Sequence, residues 1–256
     1  MSGHSRQPVL LEVCIASVDD AVMAAQGGAD RLELNAALAL GGLTPSLGTL
    51  LEIKKRIALP VFAMVRPRPG GFCYSEADFA VMVRDVGLLL QYGADGIVFG
   101  ILHEDGTVDA PRCAKILKHL GATPAVFHRA FDVTPDPFAA LEQLIGLGFK
   151  RVLTSGQQES AYNGTALIAE LIRQSSGRIE ILPASGINRF TVADVVARTG
   201  CTQVHASLRT RLPDRSTSAR PQISFGGPAK PPEDSFDATS LPAVAELRKL
   251  LKDKLR

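Results

Sequence analysis

No stretch of the chain approaches the roughly 18 uninterrupted apolar residues that a membrane-spanning helix needs. The first eight residues, Met1 to Pro8, have no apolar core behind their positive charge, so no secretory signal is expected there. Net charge is only +2 in 256 residues, too little to suggest a nucleic-acid or membrane surface. Cysteine is scarce and scattered: Cys14, Cys73, Cys113 and Cys201 form no Cys-x-x-Cys pair, and free thiols in a cytoplasmic protein are expected. No Gly-x-Gly-x-x-Gly follows the first apolar run, which argues against a dinucleotide-binding sheet.

What is present is a regular alternation. With 46% hydrophobic and 21% charged residues the chain can bury a core. Short β-rich runs begin near Leu10, Arg31, Pro60, Gly96, Pro124, Lys150, Ile179 and Thr202, each separated from the next by a helical pattern. Eight strands with one helix between each pair predict a parallel (β/α)8 TIM barrel, an α/β fold that reaches this length as one domain. An open doubly wound sheet is the competing arrangement. Residues 9–208 are the expected barrel core. Residues 209–238, rich in Pro, Ser and charge, read as a loop or disordered insertion; residues 239–256 read as a last helix completing the barrel.

Strand alternation then selects the inward side chains. In Arg31-Leu32-Glu33-Leu34-Asn35 the leucines face the helices and the polar residues the interior. The same phase sends Glu12, Cys14, Gln203 and His205 inward, and suggests Arg66, His128 and Thr154 beside them. A barrel interior normally fills with branched apolar groups, and an unpaired buried ion costs several kcal/mol. The polar interior therefore predicts either an ion-pair network, with Arg66 on Glu33 or Glu12, or a pocket at the carboxyl ends of the strands.

Phe127-His128-Arg129-Ala130-Phe131-Asp132 sets three ionisable groups where a strand ends, with Thr134 expected to cap a helix opening at Pro135. Asp132 is placed to orient His128 or to pair with Arg129. The turns Thr154-Ser155-Gly156 and Ser185-Gly186 offer backbone N–H groups to an anion, or simply begin the next helices. Cys14, with His128 and His205, has the thiolate and imidazole character that suits Cu(I).

Several of these stretches together resemble the copper homeostasis protein CutC family. They are Leu11-Glu12-Val13-Cys14, Gly28 to Leu34, Gly41 to Ser46, Arg66-Pro67-Arg68, Gly93 to Gly100, Phe127 to Asp132 and Leu153 to Gly156. The match runs in order from about Leu10 to Leu208. The resemblance implies a cytoplasmic TIM barrel that forms a homo-oligomer, dimer or tetramer, is linked to copper tolerance and binds Cu(I) through cysteine. Asn35 stands where the family commonly has a second cysteine, Gly71 where it has an acid, and Ala184-Ser185-Gly186 where it has a glycine-rich turn.

Two functions follow as expectations. One is copper handling, with Cys14 as the metal ligand. The alternative is an enzyme of unassigned reaction on a small anionic metabolite, with Glu12, Glu33, Arg66, His128, Asp132 and His205 as the catalytic set. Its ligand would be held by Arg68, Arg129, Thr154, Ser155, Gly156, Ser185 and Gly186.

Overall fold

The structure is a computed structural model that describes residues 9–225 and 232–253. Residues 1–8, 226–231 and 254–256, on which the readings of the chain start, the insertion and the last helix partly fall, lie outside the described residues. Eight parallel strands form a nearly closed barrel wrapped by helices: β1 (Leu10–Ile15), β2 (Arg31–Leu34), β3 (Val61–Met64), β4 (Gly96–Phe99), β5 (Ala125–Phe127), β6 (Arg151–Thr154), β7 (Glu180–Pro183) and β8 (Gln203–Ala206). Between them run α1 (Val18–Gln26), α2 (Leu47–Arg56), α3 (Glu76–Gln91), α4 (Ala110–Leu120), α5 (Pro137–Leu147), α6 (Thr165–Ser175) and α7 (Val192–Thr199), as the alternation predicts. The strand order is β7-β6-β5-β4-β3-β2-β1-β8, so β1 pairs with β8 and the seam lies between β7 and β8. Across that seam the Gln203 side chain donates to the Glu180 carboxylate at 3.1 Å.

Helix starts are set by short polar side chains. Ser17, Ser46 and Asp109 each accept a hydrogen bond from a backbone N–H of the first turn, and Ser75 forms a capping box with Asp78. α5 departs from expectation. Residues Arg129–Val133 make a 3-10 turn, Thr134 donates its hydroxyl to the Phe131 carbonyl at 2.8 Å, and Asp136 is the cap with Pro137 first in the helix. The Asp136 carboxylate accepts from both Phe138 and Ala139. A carboxylate serving two N–H groups displaces the Thr134 start.

Two apolar regions form. The larger lies between sheet and helices, with Leu11, Val13, Ile15, Leu32, Leu34, Phe99 and Phe127 at its centre. The smaller fills the barrel beside β3 to β7: Phe62, Met64, Val98, Val126, Leu153, Leu182 and Ala184. Gly96 makes room for it, since a Cβ there would sit 2.2 Å from the Phe62 ring. The rest of the interior, along β1, β2 and β8, is polar, as the alternation indicates. β6 is where the phase differs. Leu153 points inward and Thr154 does not, because Val152 and Leu153 are both apolar and give no clue to the face.

The insertion is more ordered at its ends than its composition suggests. β9 (Arg209–Pro213) and β10 (Ser235–Thr239) form an antiparallel ribbon, and α8 (Leu241–Asp253) follows. The sequence hides this pairing because the ribbon is mostly exposed and shows no apolar alternation. Asp20, buried in the first turn of α1, ties the ribbon down by accepting from Thr239 N at 2.6 Å and Ala16 N at 3.0 Å. Among the described residues no helix is long and apolar enough to cross a membrane.

Asp20→Ala leaves two inward-facing N–H groups without acceptors. It should cost about 2–4 kcal/mol in urea unfolding and selectively raise the hydrogen-exchange rate of the Thr239 amide. An unchanged Thr239 amide would disprove the tie.

Candidate functional site

Below the mouth of the barrel lies a layer of paired charge. The Glu12 carboxylate is bonded to the Arg31 guanidinium, which also donates to Gln203 at 2.9 Å. Gln203 reaches Glu180, and Arg151 bonds to Glu180 at 2.8 Å. Arg31 and Arg151 lie over the Phe62 ring, at 5.3 and 5.4 Å from its centre. The expected ion-pair network exists, but its cations are Arg31 and Arg151 and not Arg66. Arg151 and Glu180 escaped the sequence reading because β6 and β7 each carry only one charge at the strand start.

One layer higher, Cys14, Glu33 and His205 converge, offering a sulfur, a carboxylate oxygen and a ring nitrogen all within 4.8 Å of one another. Their registry is built by pairing: Cys14 lies beside Glu33 on β2, and Glu12 beside His205 on β8. Asn35 donates to Glu33 at 2.8 Å and to the Cys14 sulfur at 3.4 Å. Gly42 lets the chain cross directly above, because any Cβ there would meet the Asn35 oxygen at 2.4 Å. His205 Nδ1 donates to Glu12 at 2.8 Å, leaving Nε2 on the Glu33 side at 4.0 Å.

Burial opposes the charge on Glu12, yet Arg31 and His205 outweigh it and hold the carboxyl at about 2. Burial alone would also lower His205. Glu33, Cys14 and Glu12 together carry it well above its ordinary value instead. Glu33 is raised by burial, with the nearby Glu12 charge adding to the effect, and Cys14 is raised by burial.

Across the mouth, His128 accepts at Nδ1 from the Ala130 N–H at 3.2 Å, so its neutral ring carries the proton on Nε2. Phe72 packs on that ring with centroids 4.9 Å apart and also lies under the Arg66 guanidinium. Arg66 donates to three carbonyls: Leu40 at 3.0 Å, Gly42 at 3.1 Å and Gly70 at 2.6 Å. Burial and the Arg66 charge push His128 down to about 3. A cavity of about 440 Å³ lies between this wall and the Cys14–Glu33–His205 cluster, with Leu153 and Arg129 also on its border.

Several expected site residues are engaged in bonds that hold the fold. Asp132 does not touch His128. Its carboxylate pairs with Arg129 at 2.7 Å and accepts from Thr154 Oγ1 at 2.5 Å, from Ser155 N at 3.0 Å and from Gln157 N at 3.3 Å. The donors of the Thr154-Ser155-Gly156 turn, expected to hold an anionic ligand, are engaged within the protein, chiefly by the Asp132 carboxylate. Arg129 also donates to Ser155 Oγ at 2.8 Å. Arg68 turns away from the cavity to Asp78 at 2.9 Å and to the Cys73 carbonyl at 2.7 Å, clamping the glycine-rich loop. Ser185 sits in the left-handed region, at φ 73°, with its hydroxyl donated to Glu159 O. With Gly186 it borders a second, smaller cavity beside the first. His128 is not part of the Cys14–Glu33–His205 cluster.

His128 sets a pH test. Folded, it protonates near 3; unfolded, near its ordinary 6.5. As pH falls below the ordinary value the unfolded chain takes up a proton that the folded chain refuses. This group's contribution is complete above that value and drains away below it, at up to about 1.4 kcal/mol per pH unit. The stability difference between the natural chain and His128→Asn in urea should therefore shrink steadily between about pH 6.5 and about pH 4. A pH-independent difference would mean that the imidazole protonates freely in the folded state.

Comparison with known proteins agrees with this architecture. The model of the CutC family matches residues 9–210. A CutC family protein of Treponema denticola is 48% identical over 95% of this chain and 99% of its own length. The human copper homeostasis protein cutC homolog is 42% identical over 96% of this chain and 90% of its own. The crystal structure of a CutC from Streptococcus agalactiae superposes with a TM-score of 0.74 at 31% identity, covering 77% of this chain and 97% of that one. The chain belongs to the CutC family.

Proposed function

We propose that this protein handles copper as cargo, binding Cu(I) at the barrel mouth through Cys14 Sγ and His205 Nε2. The observation that carries the reading is the approach of thiol, imidazole and Glu33 carboxylate to within 4.8 Å of one another. A thiolate and an imidazole are the donors a soft monovalent copper ion favours, and the carboxylate balances its charge. The Glu12 carboxylate on His205 Nδ1 fixes the tautomer that turns the Nε2 lone pair toward the cluster, the arrangement usual behind metal-bound histidines. Arg31 in turn fixes Glu12. Asn35, at the position of the family's second cysteine, supplies no thiolate and instead donates a side-chain N–H hydrogen bond to the Cys14 sulfur. The free state of all four cysteines fits a reducing cytoplasm.

A second reading is favoured by the size of the cavity. A space of about 440 Å³ exceeds what one ion needs and falls within the range of small-molecule sites. In that reading the protein is an enzyme for a small anionic metabolite, with His128 and Glu33 on facing walls.

Titration of the reduced protein with Cu(I) against a competing chelator tests the first reading. The natural chain should bind one equivalent, and Cys14→Ser should lose more than about 100-fold. Glu12→Gln, which leaves every metal-facing atom in place, should lose about 10–100-fold. Affinity should rise with pH, because Cys14 and His205 each shed a raised proton to bind. Equal affinity in all three proteins would sink the site.

A further inference from the structure

Three residues that line the main cavity each hold a buried polar atom with no hydrogen-bond partner: Arg66 Nε, His128 Nε2 and Glu33 Oε1. All three residues are at least nine-tenths buried, so bulk water does not satisfy them. A buried polar atom left unpaired costs about 1–3 kcal/mol, and such atoms are few in a folded protein. Three around one cavity are therefore informative. Arg66 adds a second anomaly. Its guanidinium meets carbonyl oxygens, the Phe72 ring and the Tyr74 hydroxyl, and no acidic group among the described residues lies within ion-pair distance of it. By contrast Arg31, Arg129 and Arg151, which also reach the interior or its rim, each have a carboxylate.

The chemistry of the missing partner can be read from the orphans. Arg66 is a buried cation whose counter-ion is absent, and Nε–H can donate. His128 Nε2 is also a donor, because Nδ1 is already the acceptor for Ala130. Its imidazole stays neutral at ordinary pH, so it adds a bond without adding charge. Phe72 covers both groups and keeps water from them, which strengthens any bond they make to an anion. On the same cavity, Glu33 as a carboxylate accepts at Oε1, and its other oxygen is taken by Asn35. The ligand thus needs an anionic acceptor at one end and a hydrogen-bond donor at the other.

We infer that the cavity binds a small hydroxycarboxylate, its carboxylate on Arg66 and His128 and its hydroxyl donated to Glu33. This rests on and deepens the metabolite reading of the cavity; Glu33 is shared with the Cys14–His205 cluster, whereas Arg66 and His128 lie outside it, so variants at those two residues separate this reading from the copper one. A plain dicarboxylate fits less well, because its second carboxylate would meet Glu33 acceptor to acceptor. The turn at Thr154-Ser155-Gly156 plays no part in holding the ligand, because Asp132 occupies it.

The test uses matched pairs that differ by one hydroxyl: L-lactate against propionate, and L-malate against succinate. Binding to the full chain is followed by saturation-transfer NMR and calorimetry. The hydroxyl-bearing member of at least one pair should bind at least about tenfold more tightly, the effect of one hydrogen bond to a charged group. Arg66→Gln should abolish binding of that member and leave Cu(I) affinity unchanged. If Arg66→Gln fails to fold, His128→Asn serves, with an expected loss of about tenfold or more. No binding by any of the four acids, equal binding within both pairs, or full binding by the folded variant overturns the inference. Loss of Cu(I) binding in Cys14→Ser with hydroxycarboxylate selectivity absent would uphold the copper reading and remove this one; the converse would do the opposite.

Discussion

The contact between the Glu12 carboxylate and the Arg31 guanidinium is the constraint on which the rest of the barrel depends. It joins β1 to β2 inside the interior, where breaking a buried pair costs about 3–5 kcal/mol. From Arg31 the bonding continues through Gln203 to Glu180 and Arg151, spanning the seam where β7 and β8 share no ladder. From Glu12 it continues upward to His205. One carboxylate therefore both closes the cylinder and aims the imidazole at the mouth. Stability and site geometry are not separable here.

The interior is divided lengthwise. Apolar side chains of β3 to β7 pack in the ordinary barrel manner, while β1, β2 and β8 carry most of the charge, joined at the bottom layer by Arg151 of β6 and Glu180 of β7. A half-apolar interior gives the cavity a wall of low polarisability opposite a wall of titratable groups. Burial raises Glu33, whereas Arg31 and His205 hold Glu12 ionised, although both are buried glutamates one layer apart. The difference is the partner: Glu12 has the Arg31 cation within bonding distance, whereas Glu33 has the Asn35 amide, the Cys14 thiol and a more distant imidazole.

Much of this was legible before any coordinates. Arg31, Glu33 and Asn35 alternate with leucines, so their direction was forced, and Glu12, Cys14 and His205 followed by the same phase. Where a strand is apolar on both faces the rule has nothing to act on, and Thr154 was placed inside when Leu153 is. The competition among polar groups for one another was not legible either. Asp132 could be assigned to His128 or Arg129 from spacing, but that it fills the Thr154-Ser155-Gly156 cradle depends on a contact across the turn between two strands. The Arg66 bonding to backbone carbonyls leaves no mark on side-chain pattern at all. The β9–β10 ribbon was missed because exposed strands need not alternate.

The pairing of β1 with β8 also bears on how the molecule is made. The two strands register Glu12 against His205, nearly the whole length of the barrel apart in sequence. α8 then packs against α1, with Val244 over Gly27 and Arg248 bonded to Asp30 at 2.8 Å. During synthesis on the ribosome the first strand must wait, one edge unpaired, until almost the entire chain has emerged. Non-local closure of this kind is slow, and an open strand edge invites pairing with other chains. The acid at position 12 then has a second consequence: until His205 arrives, its charge sits at the open edge of β1 and discourages a neighbour's strand from docking there.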